Sequence, residues 1–248
     1  MSLERPVSAA RPLEIEADDP VVVERFYDRE LTGAQRVAKA IRAAFGSVVR
    51  LFALAILLLP LQLVALVTLD LPLAFFDRIG PAGLASASWL SRGEGLLILS
   101  ILLICLLARR WGARLIGSAV LLSWALCLSG LFLLFVELAP QLQDAEFPTL
   151  RFASALIGSW VIGQLVAAGI YNLTRGGMWW RAPFYGALFG FFSQALIYFP
   201  GAFAGTEMPW RWWLIQHLFL TTAIAGLFLL VYAPLRGLIR PRRGLGGR

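Results

Sequence analysis

An all-α, polytopic membrane helix bundle is the fold class that this 248-residue chain predicts, on three observations. Apolar residues make up 59% of it and charged residues 15%, with a mean hydropathy of +0.74, a composition foreign to soluble domains. The apolar residues gather in six stretches, at 48–69, 95–108, 115–138, 150–171, 182–203 and 213–232. The arginines between them fall more heavily on alternate sides. Most stretches approach the ~20 residues that a helix needs to cross ~30 Å of hydrocarbon; only the second is short.

Arginine placement orients the bundle, because cytoplasmic loops carry excess Lys and Arg. With the N-terminus inside, Arg109, Arg110 and Arg114 fall in one cytoplasmic connection and Arg175 and Arg181 in the next. The C-terminal segment adds Arg236, Arg240, Arg242, Arg243 and Arg248. The opposite side holds Arg78, Arg92, Arg151 and Arg211, and a loop with Glu137, Asp144 and Glu146. Six transmembrane helices with both termini cytoplasmic satisfy this pattern, and the expected location is a bacterial inner membrane. The formal charge of +7 is then a membrane-surface property. Basic and aromatic residues lie in separate segments, which argues against nucleic acid as a partner.

Ahead of the first stretch, residues 1–30 mix Pro6, Pro12 and Pro20 with acidic residues such as Glu14, Asp18, Asp19 and Glu30. This cytoplasmic tail has too little apolar surface to fold alone and is expected to be disordered. Residues 31–47 read as an amphipathic interfacial helix, with Ala34, Val37, Ile41 and Phe45 on one face and Arg36, Lys39 and Arg42 between them. Residues 48–240 form the expected six-helix domain, and 241–248 a basic tail. No cleavable signal is expected ahead of the first stretch, because the polar residues before it make its apolar run begin too late for one. The connection 70–94 is expected to hold a short interfacial segment, at 72–76 or 84–90, that extends the second helix.

Polar side chains within the stretches are the candidates for function, since each needs an internal partner. Trp160 and Gln164 lie four apart on one helix face, as do Gln194 and Tyr198. If these faces meet, two rings and two amides line one cavity, suited to a planar heterocycle. The alternative is that the glutamines bond each other or the backbone and only join the helices. Gly186 and Gly190 form a G-x-x-x-G pair, and Ser154 with Gly158 a looser one, which predicts close packing of the fourth and fifth helices. Cys105 and Cys127 read as small hydrophobes, and with His217 as the sole histidine no metal site or cofactor is expected. Neither paired carboxylates nor a nucleophile with its base occurs within the stretches, so an enzyme is not expected.

Residues 152–199 carry a Gly163–Gln164 pair, Asn172, a Trp179–Trp180–x–Ala182–Pro183 entry and Ser193 one turn beyond Gly190. In these features, and more weakly at Arg110 to Arg114, the chain resembles the vitamin-uptake-type (VUT) family. These are six-helix inner-membrane proteins that import deazaguanine bases, the queuosine precursors. The resemblance covers about residues 51–239 and implies a transporter of a small planar solute, with Gln164, Gln194, Ser193, Asn172, Trp160 and Tyr198 as substrate-binding residues. Family positions that are usually acidic hold Ala167, Gln194 and Cys105 here, and no lysine stands in the sixth helix. The expectation is thus an interior without carboxylates, taking a neutral solute. The other reading is a non-transporting membrane subunit or adaptor that keeps the fold. Expected partners are the lipid bilayer, the solute, and a homo-oligomer or a membrane partner protein.

Overall fold

The computed structural model describes residues 32–79, 86–138 and 149–241. The expected acidic tail, most of the loop with Asp144 and Glu146, and most of the basic C-terminal tail lie outside them. By its contacts the chain divides into two units, Met1–Val49 and Arg50–Arg248. Seven α-helices occur among the described residues: α1 (Gly33–Val67), α2 (Phe75–Ile79), α3 (Arg92–Trp111), α4 (Ala113–Leu138), α5 (Leu150–Thr174), α6 (Arg181–Phe203) and α7 (Trp210–Leu238). Five of them, α1, α4, α5, α6 and α7, are long and apolar enough to cross a membrane. The chain is therefore an all-helical, multi-pass membrane protein.

In the first unit, Thr32 starts α1 with a reciprocal cap. The Thr32 N–H donates to Gln35 Oε1 at 3.0 Å, and the Gln35 N–H points back to Thr32 Oγ1. Val37, Ile41, Phe45 and Val48 are exposed along this part of the helix.

In the second unit the surface is oilier than a soluble protein permits. Leu57, Phe132, Leu133, Phe219, Leu227 and Leu230 are all more than half exposed, whereas Gln62, Ser100, Ser123, Gln164, Gln194 and His217 are fully buried. Lipid replaces water as the solvent, so apolar groups face outward and polar groups turn inside.

α3 differs from the six-stretch expectation in a way that has a physical cause. It is 20 residues long, beginning three residues before the predicted stretch, yet it carries Arg92, Glu94, Arg109 and Arg110. Two of these charges are turned into the bundle, with Glu94 only 3% and Arg109 only 9% exposed. Its start is fixed by a capping box. Ser91 Oγ accepts from the Glu94 N–H, and Glu94 Oε2 accepts from the Ser91 N–H. Its end is fixed by Gly112, whose φ of 80° suits glycine alone, and whose N–H donates to the Ala108 carbonyl.

The connection before α3 holds α2, which starts later than the 72–76 segment and shares only Phe75 and Phe76 with it, and a 3₁₀ turn at Ser86–Ser88 inside the alternative 84–90. Asp77 joins them, taking the Ser86 hydroxyl at 2.6 Å, the Ala87 N–H at 3.2 Å and also the Ser86 N–H. Leu73 N–H to Leu90 O at 2.9 Å and Arg92 N–H to Leu71 O at 2.7 Å tie the two arms together.

The tightest crossing is α5 on α6. A Cβ at Gly163 would lie 2.8 Å from the Gly190 carbonyl oxygen, and one at Gly190 would lie 2.8 Å from Ala167 Cβ. Gly186 and Gly190 thus pack as predicted, but against Gly163 and Ala167. The looser Ser154 and Gly158 pair plays no part: Ser154 is exposed, and nothing lies within 4 Å of a Cβ at Gly158.

Gly190→Ala is expected to cost about 1–3 kcal/mol through overpacking, read as a lower unfolding midpoint in detergent, while Gly158→Ala leaves the midpoint unchanged or raised. The Ser86 hydroxyl, followed by the Ala87 and Ser86 N–H groups, holds the Asp77 carboxyl below its ordinary value of 3.8. Because the folded value is depressed, the clasp is present above the ordinary carboxylate range and is lost as pH falls through the lower folded value. Hydrogen-exchange protection factors of the Ser86 and Ala87 amides should stay constant from neutrality to about pH 4 and collapse below it.

Candidate functional site

Gln164 is fully buried and both ends of its amide are used. Trp124 Nε1 donates to Gln164 Oε1 at 2.7 Å, and Gln164 Nε2 donates to Ser100 Oγ at 2.7 Å. One side chain therefore joins α3, α4 and α5. A similar tie runs from Ser123 Oγ on α4 to Gln62 Oε1 on α1.

Gln194 is equally buried but neither end of its amide has a hydrogen-bond partner, and Trp160 Nε1 is also unpartnered. Its Cβ would lie 2.9 Å from a Cβ at Gly163, so the residue sits in the α5–α6 crossing itself. Ser193 is half-buried and Asn172 exposed. Of the six residues singled out from the sequence, Tyr198 alone lines the cavity described next.

That cavity, of about 890 Å³, opens at the end of the bundle where α3, α5 and α7 begin. Its rings include Trp89, Phe152, Tyr198, Phe199, Phe203 and Trp213, held largely by edge-to-face contacts. Phe152 and Tyr198 centroids are 6.1 Å apart, and those of Phe203 and Trp213 5.7 Å apart. Trp89 is fixed from behind by its Nε1 donating to Gln216 Oε1 at 2.7 Å. His217 packs edge-on against both Trp89 and Phe199, at 5.5 and 5.4 Å.

Glu94 lines the same cavity and is the sole buried carboxylate among the described residues. This corrects the expectation of an interior without carboxylates. Oε2 is held by the cap, Oε1 makes no direct hydrogen bond, and the Tyr198 hydroxyl is the polar group that it interacts with. The signal was present in the sequence as Ser91-x-x-Glu94 ahead of an apolar run, the mark of a capping box.

At the other end of the bundle tyrosines and arginines tie the helices together. Tyr171 and Tyr232 hydroxyls meet at 2.6 Å. Arg109 donates to the carbonyls of Ile239 and Arg236 at 2.8 and 3.2 Å, and reaches the Tyr232 hydroxyl at 3.4 Å. Arg175 Nη2 donates to the carbonyls of Ala108 and Arg109 at 2.7 and 3.2 Å. These guanidiniums thereby satisfy the terminal carbonyls of α7 and α3, where a cation also suits the helix dipole. Trp179 carries Arg236 over its ring at 4.9 Å.

Gln164→Leu leaves a buried indole N–H without its acceptor, and should lower stability by about 1–3 kcal/mol. Gln194→Met removes only unpartnered polar atoms and should leave the unfolding midpoint unchanged or raised; thermal unfolding of the two variants in one detergent checks the contrast.

Compared with protein-family models, curated proteins and solved structures, the chain matches none.

Proposed function

We infer that the chain is a carrier of a small planar solute, which enters through the aromatic cavity. The carrying observation is the polarity of the bundle: an 890 Å³ ring-lined cavity at one end and a Tyr–Arg closure at the other. A cavity of that size suits a small organic molecule, and a wall of rings suits a flat one. One open end and one closed end is the arrangement expected of one state of an alternating-access carrier.

In this reading α3 is the sixth crossing. Its 20 residues span about 30 Å, and it starts at the cavity end and finishes at the closure. The closure, rich in arginine, is the cytoplasmic side, so both chain ends lie there and the cavity faces outward. The resemblance to the VUT family supplies the solute class, a deazaguanine base of the queuosine precursor kind, and a bacterial inner membrane as the location.

Uptake of a labelled deazaguanine base by cells tests this. Phe152→Leu and Trp213→Leu keep apolar bulk and remove a ring; since a stacked ring contributes about 1–3 kcal/mol, each should cut initial uptake by about five- to a hundredfold at equal membrane abundance. Uptake by both variants and by a deletion strain at the wild-type rate would sink the proposal.

A further inference from the structure

The cavity is electrically one-sided. Asp70 and Glu94 both line it, and none of its described lining residues is Lys, Arg or His. Asp70 is exposed, so water carries much of its charge. Glu94 is not: the residue is 3% exposed, and its Oε1 is buried without a hydrogen-bond partner. Withdrawing a carboxylate from water costs several kcal/mol unless an opposite charge or a full set of donors meets it. Here one oxygen has a single backbone donor, Ser91 N–H at 3.2 Å, and the neighbouring Tyr198 hydroxyl brings no positive charge.

The same wall is aromatic. Trp89, Tyr198 and Phe199 line the cavity beside Glu94, and the negative faces of such rings attract cations. A buried carboxylate with a spare oxygen, rings around it and no competing cation is a site that lacks one component, a positive charge.

We propose that the cavity binds an organic cation, whose flat apolar body packs on the rings and whose protonated nitrogen is received by the Glu94 carboxylate. This rests on the carrier reading of the cavity and narrows its solute class to amines or amidines charged at neutral pH. A neutral planar molecule gains the rings but leaves Oε1 uncompensated. An anion is repelled by both carboxylates. Asp70, at the exposed edge, draws cations in without fixing them.

Glu94→Gln isolates the charge, because glutamine serves equally well as the third residue of a capping box. The test is equilibrium dialysis of the full chain in lipid nanodiscs against tryptamine, a cation, and tryptophol, its neutral counterpart of similar shape. Tryptamine should bind at least about tenfold more tightly, a charge-assisted hydrogen bond being roughly twice as strong as a neutral one. Glu94→Gln should abolish that difference while tryptophol binding stays within about twofold and the melting midpoint is unchanged or raised, and Asp70→Asn should weaken tryptamine by only about two- to threefold, as for a screened exposed charge. Equal binding of both probes, weakened together by Phe152→Leu, would overturn the cation assignment and leave the planar-solute reading standing. Failure of both probes to bind at millimolar concentration would overturn both.

Discussion

The close approach of α5 and α6 is the constraint from which the rest of the bundle follows. In lipid no hydrophobic force drives two apolar helices together, so contact depends on how near their backbones can come. Gly163 faces Gly190, and Ala167 lies beside Gly190 and Gly186. At Gly186 the same seam admits the Tyr171 Cβ and the Cys105 Sγ, each about 3 Å from where a Cβ would stand, so α3 is gathered onto the pair. Tyr171 then reaches Tyr232 on α7. At the far end of α6, Tyr198 and Phe199 are delivered to the cavity.

Around that seam the polar groups divide by task. Gln164 joins Ser100 and Trp124, and Ser123 joins Gln62, whose Nε2 is left without a partner; bonds of this type across helices fix which helices are neighbours. Arg109 and Arg175 meet backbone carbonyls at helix ends. Glu94 belongs to neither group. One of its oxygens serves the backbone and the other is buried without a hydrogen-bond partner, on a residue that lines the cavity.

The apolar stretches were legible because hydropathy over ~20 residues is a one-dimensional property. Gly186 and Gly190 were legible as one half of a helix contact; their partners Gly163 and Ala167 were not, since spacing does not say which face of a second helix will receive them. Trp160 and Gln164 share a buried face as their spacing implied. That Trp124 and Ser100 would claim the amide depends on two further helices, and pairwise spacing carries no such information. Asn172 follows the buried Tyr171 by one residue, a rotation of about 100°, which turns it outward. Glu94 was hardest to read: a charge beside a loop normally signifies water, and its burial comes from distant segments, with Tyr198 of α6 beside it and Ala65, Leu69 and Leu73 against its neighbours Gly93 and Gly95.

The inward charges of α3 bear on how the protein is made. A segment bearing Glu94, Arg109 and Arg110 partitions less readily into lipid by itself than its neighbours, since a charge costs about 2.5–3.5 kcal/mol at a helix centre and less toward the ends, where these stand. Its neighbour α4 is strongly apolar, with Phe132, Leu133 and Leu134 exposed, and one residue, Gly112, separates the two. In the six-crossing reading, α3 therefore enters the membrane as one arm of a helical hairpin whose anchor is α4.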